Sequence, residues 1–205
     1  MDKHIRQLLQ ASQQLSVKDH VFGQTLYCLF GLLSVTGLRI GEALTLKIED
    51  VDLETGVLTI VNAKFSKSRL IPLHNTTVNI LMKYLATRET FLAGQQMHYW
   101  FINKQKQRLS YGCVRYHFKK LLQTAHIGSP DEKRRPHLHD LRHYFARSVL
   151  KNWYRDGQDA ERNLPKLSAY LGHVETRDTY WYLSACPELM GVVQIRLEQH
   201  WGGRS

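Results

Sequence analysis

Residues 22–35 read Phe-Gly-Gln-Thr-Leu-Tyr-Cys-Leu-Phe-Gly-Leu-Leu-Ser-Val, with no charged side chain among them. A helix that is apolar around most of its circumference must be covered by other elements. This segment is therefore expected to be the most buried helix of the core, with Ile5, Leu8, Leu9 and Leu15 marking a short helix before it. Gly37 should end the buried helix. The residues from Thr36 to Leu44 then predict a helix terminus, a tight turn and a second helix beginning at or near Arg39. A helix N-terminus there would add its dipole to an anion site. Equally, Arg39 could serve as the partner of Glu42, three residues on.

Val51 to Val61 carries a turn followed by a β-branched run, and Arg69-Leu70-Ile71-Pro72-Leu73 reads as its returning strand. Ala63 to Ser68 forms the tip, with Lys64 and Lys67 on it. A basic hairpin suits contact with a nucleic-acid groove or backbone. Helices are predicted at Asn75 to Leu92 and at Ser110 to Thr124. The second carries Arg115, Lys119 and Lys120 at nearly helical spacing, which suits phosphates. Gly128 to Pro136 is a loop by composition and holds Arg134 and Arg135.

The stretch from His139 to Tyr182 concentrates chemistry suited to phosphate. Leu138, Leu141, Phe145 and Val149 recur at helical spacing, so a helix from about His139 would bury them and present His139 and Arg142 together on another face. A guanidinium offers a planar fork of donors to phosphate oxygens, and an imidazole exchanges protons near neutral pH. Asn152 to Asn163 reads as polar and irregular, and Leu164 to Leu171 resumes a helical pattern. Leu171-Gly172-His173 and Thr179-Tyr180-Trp181-Tyr182 follow. Pro187 fits the first turn of a terminal helix over 187–201, where Met190, Val193, Leu197 and Trp201 form one apolar stripe. That stripe would fold onto its own core or dock on a neighbouring subunit.

The chain has 205 residues, enough for one large domain or two small ones, and its 28 Lys and Arg against 18 Asp and Glu give a net charge of +10. Such a balance favours a polyanionic partner. No run reaches the roughly 18 apolar residues of a membrane span, and the first residues lack a signal-peptide core. Cys28, Cys113 and Cys186 are odd in number and far apart, which fits reduced cytosolic thiols better than a disulfide framework. His139 and His143 stand four apart, a zinc-binding spacing on helices, with His137 nearby. No Glu or Cys completes a ligand set, so no metal site is expected.

Five of these pieces, in this order, resemble the catalytic domain of the tyrosine recombinases, the phage-integrase family. They are Thr36-Gly37-Leu38-Arg39-Ile40-Gly41-Glu42, Lys64 ahead of Arg69-Leu70-Ile71-Pro72-Leu73, His139-Asp140-Leu141-Arg142-His143, Leu171-Gly172-His173, and Tyr182 nine residues after His173. The resemblance covers nearly the whole chain. It implies an α+β fold, mainly helical, with a small antiparallel β-sheet, expected here as a single catalytic domain over 1–205 without the family's N-terminal DNA-clamping domain. Residue by residue, it implies that Arg39 and Arg142 bind the scissile phosphate, His139 is the acid/base residue, and His173 hydrogen-bonds the phosphate. It also implies that Lys64 protonates the departing 5′ oxygen and that Tyr182 is the nucleophile. Lys67 rivals Lys64 at the same tip, and Tyr180 and Tyr170 compete with Tyr182.

The expected function is a site-specific DNA recombinase, an integrase or transposon recombinase of a mobile element. It would cut and rejoin double-stranded DNA through a 3′-phosphotyrosine and a Holliday junction, without metal, cofactor or ATP. The implied assembly is a homotetramer on paired DNA sites and a monomer without DNA, cytoplasmic and nucleoid-associated. DNA contacts are expected from Lys67, Arg69, Arg115, Lys119, Lys120, Arg134 and Arg135. Two alternatives stand beside this: a DNA-binding module that does not cut, and a type IB topoisomerase-like enzyme that relaxes DNA.

Overall fold

A computed structural model describes residues 3–15, 20–62, 67–128, 136–173, 175 and 177–184. The chain divides into two compact units, Met1–Arg142 and His143–Ser205.

In the first unit, α1 (Lys3–Leu15) precedes α2 (His20–Thr36), and α2 packs against α1 and against α4 (Asn75–Leu92). The apolar run becomes the buried helix its composition requires. Leu26, Leu29, Phe30, Leu32 and Leu33 are all buried, each removing enough apolar surface from water to contribute about 1.5–3 kcal/mol. The polar residues of α2 bond locally, Thr25 and Thr36 to the carbonyls four residues back at 3.0 and 2.6 Å. Gly37 ends the helix at φ +65°, donating its amide to Leu33 O at 3.0 Å. That left-handed position carries no steric penalty without a Cβ. The short helix α3 (Ile40–Thr45) follows.

Three antiparallel strands come next, in order β1 (Val51–Asp52), β2 (Val57–Asn62) and β3 (Lys67–Pro72). Asp52 builds the turn between β1 and β2 by accepting the amides of Glu54 and Thr55 at 2.9 and 3.0 Å. Register pairs Leu58 with Ile71 and Ile60 with Arg69. Leu58, Ile60 and Ile71 are buried, so by the period-two rule Arg69 also faces inward. Val61 and Leu70 face outward, 62% and 65% exposed. The inward arginine decides part of the site below.

Helix α4 carries a fully buried arginine that the sequence does not advertise. Arg88 donates from Nε to Trp100 O at 3.1 Å and from Nη2 to the carbonyls of Met97 and Tyr99 at 2.6 and 2.8 Å, and it pairs with Glu89. It thereby holds the segment after α4 against the helix. Helix α5 (Tyr111–Thr124) is capped by Ser110, whose hydroxyl accepts the Cys113 amide at 3.2 Å.

Helix α6 (Asp140–Arg155) leads into the second unit, which adds α7 (Ala160–Leu171) and α8 (Arg177–Ser184). Its core joins Ala146 and Leu150 with Ala160, Leu164, Leu167, Leu171 and Tyr182. Phe145 and Val149, expected to be core, are only partly buried, because the helix turns Ala146 and Leu150 fully inward. The region expected to be irregular before Leu164 is helical at both ends. Helix α6 continues to Arg155, and α7 starts at Ala160, where Asp159 accepts the Arg162 amide at 3.0 Å. Helix α7 also contains Pro165. The fold is thus mainly helical with one small antiparallel sheet. No described helix is long and apolar enough to cross a membrane. The expected terminal helix over 187–201 lies outside the described residues.

Candidate active site

Glu42 is the hub of the first unit's cationic cluster. Its carboxylate accepts the Arg39 amide at 2.8 Å and the Arg39 guanidinium at 3.2 Å. From β3, Arg69 adds a bidentate fork, Nη1 to Oε1 at 2.9 Å and Nη2 to Oε2 at 2.7 Å. Burial pushes the Glu42 carboxyl upward, but the Arg69 bond, the Arg39 amide and both guanidinium charges outweigh it and hold the group below its ordinary range. Arg39 therefore is the partner of Glu42, and its side chain is still 39% exposed. A helix dipole contributes little to Arg39, since Glu42 already occupies the amide at the start of this six-residue helix. Arg69, expected on DNA, is placed differently. Its side chain is 16% exposed and bonded to Glu42, the carboxylate that Arg39 also holds.

The turn at Gly37 serves a second arginine. Arg142 donates Nη1 to Gly37 O at 2.7 Å, across 105 residues of sequence. It is 2% exposed. Leu138 and Leu141 beside it are buried as the periodicity predicts. His139 precedes the helix in a turn, with the Arg142 amide bonded to its carbonyl at 3.0 Å. The His139 pKa is lowered from the ordinary imidazole value, first by partial desolvation, then by the Arg142 charge, with Arg39 adding to it and Asp140 opposing. Arg39, His139 and Arg142 are thus electrostatic neighbours. An imidazole whose pKa is held down beside two guanidinium groups suits an anion whose reaction moves a proton.

The second unit gathers the other candidates. Gly172 caps α7 in the left-handed region at φ +68°, and the His173 amide bonds Ser168 O at 3.1 Å. The His173 ring is then tied through Nδ1 to Thr179 Oγ1 at 2.7 Å. Thr179 is fully buried. Nothing in the sequence pattern singled it out. Tyr182 is 2% exposed and lies parallel to the His173 ring, with centroids 6.4 Å apart and planes 11° apart. Its hydroxyl is 3.0 Å from His143 Nδ1. The competitors differ in setting: Tyr180 is 48% exposed, and Tyr170 stacks on Phe145 at 5.5 Å.

Lys64, Arg134 and Arg135 lie outside the described residues, as does the side chain of Lys67. Arg115, Lys119 and Lys120 are exposed on α5 together with Tyr116. Among the described residues no three His, Cys, Asp or Glu side chains gather as a metal-ligand group. Of the pair at zinc-like spacing, His143 engages Tyr182, while His139 lies within the field of two guanidinium charges.

Comparison with known proteins gives the family. Residues 1–188 match the phage integrase family. The chain belongs to that family, the tyrosine recombinases. It is 47% identical over 182 residues to the integrase/recombinase y4rB of Sinorhizobium fredii, covering 88% of this chain and 58% of that protein. It is 30% identical over 156 residues to the TnP I resolvase of Bacillus thuringiensis, covering 76% of this chain and 48% of that one. Among solved structures, XerA recombinase superposes with a TM-score of 0.71 at 24% identity, over 98% of this chain and 62% of XerA. The chain spans roughly three-fifths of the length of the first two curated relatives, 58% and 62%. The expected fold class is the observed one.

Proposed function

We propose that this member of the family is a site-specific DNA recombinase that cuts and rejoins strands by phosphoryl transfer to Tyr182. The observation that carries the reading is the Tyr182 hydroxyl held against His143, in a chain that also gathers Arg39, His139 and Arg142. A phenol of ordinary pKa near ~10 is a poor nucleophile at neutral pH until it is activated. Two guanidinium forks would neutralise the charge on a pentacoordinate phosphorus, the kind of preorganised electrostatics that is usually the largest catalytic term. His139 would serve as the acid/base residue, His173 would hydrogen-bond a phosphate oxygen, and Lys64 would protonate the departing 5′ oxygen.

Attack joins the Tyr182 oxygen to the 3′ phosphate and releases a 5′ hydroxyl. The phosphotyrosine keeps the energy of the broken phosphodiester, so rejoining to a new strand needs neither ATP nor metal. Double-stranded DNA is the substrate, and exposed Arg115, Lys119 and Lys120 would neutralise its phosphates. One solved structure of similar fold is a lambda integrase tetramer bound to a Holliday junction. By analogy, the assembly proposed here is a homotetramer exchanging one pair of strands at a time, with the 1–205 segment as the catalytic domain.

The test is covalent capture. A library of nicked duplexes randomised around the nick is incubated with the protein in EDTA, and denaturant-resistant protein–DNA adducts are recovered and sequenced. The proposal predicts adducts on the 3′ side of the break, a free 5′ hydroxyl and enrichment of one sequence. Absence of any adduct, or adducts without sequence preference, would contradict it.

A further inference from the structure

Two helical histidines in this chain make different choices. His117 turns Nδ1 to the carbonyl of its own helix at Cys113, four residues back and 2.9 Å away. His143 instead turns Nδ1 to the Tyr182 hydroxyl at 3.0 Å, 39 residues away in sequence. Its ring meets Tyr182 edge to face, with centroids 5.4 Å apart and planes at 60°, and lies 5.3 Å from Trp181. A neutral imidazole carries its proton on one nitrogen only. With that proton on Nε2, Nδ1 is the acceptor, and the phenol donates to it.

From this geometry we propose that His143 is the catalytic base that takes the phenolic proton of Tyr182. The inference rests on the reading of Tyr182 as nucleophile and deepens it. As the tyrosine oxygen bonds to phosphorus, its O–H bond breaks and the proton passes to Nδ1, leaving an imidazolium. The phosphorus–O5′ bond breaks in the same displacement, and the 5′ oxygen leaves as a hydroxyl with a proton from Lys64. Rejoining runs in reverse: the 5′ hydroxyl attacks, its proton returns to Lys64, and the departing tyrosine oxygen recovers its proton from His143. A free phenolate inside the second unit's core would be expensive, because burial disfavours the charged form. An adjacent acceptor avoids forming one. His143 then takes, toward Tyr182, the base role that the family resemblance gives to His139, and His139 is left to the phosphate, beside Arg39 and Arg142.

Two measurements decide the matter. Nitrogen-15 NMR of the histidine-labelled chain should show His143 as the Nε2–H tautomer, with an Nδ1 resonance that moves in Tyr182→Phe. An Nδ1–H tautomer, or no response to Tyr182→Phe, overturns the proposal without any DNA substrate. In the capture assay, His143→Phe should slow adduct formation by about 10²-fold or more, the usual contribution of a positioned base. His143→Asn places an amide near Nδ1 without a base and should be comparably slow while melting like the wild type. Added imidazole should restore part of the rate to His143→Ala, which packing alone would not allow. An unimpaired His143→Phe that still forms its adduct at Tyr182 refutes the base and leaves the nucleophile standing. Adducts that persist in Tyr182→Phe refute the underlying reading as well.

Discussion

Replacing Arg69 by Met should destabilise the first unit and loosen Arg39 without touching the phosphate site directly. The substitution removes both bonds of the fork to Glu42, 2.9 and 2.7 Å long, and leaves a carboxylate whose side chain is 16% exposed. Hydrogen bonds to a charged group are worth about 1.5–3 kcal/mol each, and stripping one partner from a buried pair costs about 3–5 kcal/mol. Two features lower the figure. Arg39 still donates two bonds to the carboxylate, and the Arg69 Nε, buried with no hydrogen-bond partner among the described residues, disappears with the side chain. The expected loss is about 2–3 kcal/mol, or roughly 4–12 °C in melting temperature at ~2–4 °C per kcal/mol for a chain of this size.

The sign with pH follows from Glu42, whose pKa the fold lowers. Its contribution is complete above the ordinary carboxylate value of ~4.3 and fades as pH falls through the lower folded value. Arg69→Met should therefore show a shallower loss of stability in that acid window than the wild type. Urea melts of Arg69→Met, Glu42→Gln and the double variant give the coupling, expected above ~1.5 kcal/mol. A single-variant loss below ~0.5 kcal/mol, or additive variants, would refute the clamp.

Other consequences are direct. Gly37→Ala should cost about 1–2 kcal/mol in thermal melts because its φ is +65°, and slow cleavage further by moving the carbonyl that holds Arg142. His139 should titrate below ~6.5 by NMR and rise toward that value in Arg142→Gln. Because the unfolded chain takes that proton first as pH falls through ~6.5, wild-type stability should drop there more than that of His139→Gln. Thr179→Val should cost about 1 kcal/mol and reduce the cleavage rate more than the melting temperature suggests, since it frees the His173 ring from its 2.7 Å anchor. Lys119→Ala with Lys120→Ala should lower the slope of log affinity against log salt by up to ~1.8, and an unchanged slope would remove α5 from the interface.

What the sequence made legible follows from where the signals lie. The buried helix declared itself because fourteen residues without a charge leave no other place for them. Arg39, Arg142, His173 and Tyr182 were named because the short runs that hold them resemble the family's motifs and stand in the family's order. Arg69 was read only as a DNA contact, although its alternation with Ile71 puts it on the inward face, where it pairs with Glu42; a charge next to exposed Leu70 and Val61 inverts the usual reading of a half-buried strand. Glu42 was noticed only as a neighbour of Arg39, since a bond spanning 27 residues has no local signature. His143 was missed as a partner of Tyr182 for the same reason, 39 residues apart, whereas Thr179 lies only six residues from His173 and was missed because a lone threonine gives no pattern of its own. The start of α7 was read late because Asn152 to Asn163 is polar in composition, while the Asp159 cap and the turn at Gly157 fix where each helix stops and starts.

The most direct test of the account is to digest the captured adduct and map the nucleotide-bearing peptide by mass spectrometry. The account predicts a single modified residue, Tyr182, joined to a 3′ phosphate, and no adduct from Tyr182→Phe in parallel. A nucleotide on Tyr180 or Tyr170, on a serine, or on a 5′ phosphate would contradict it.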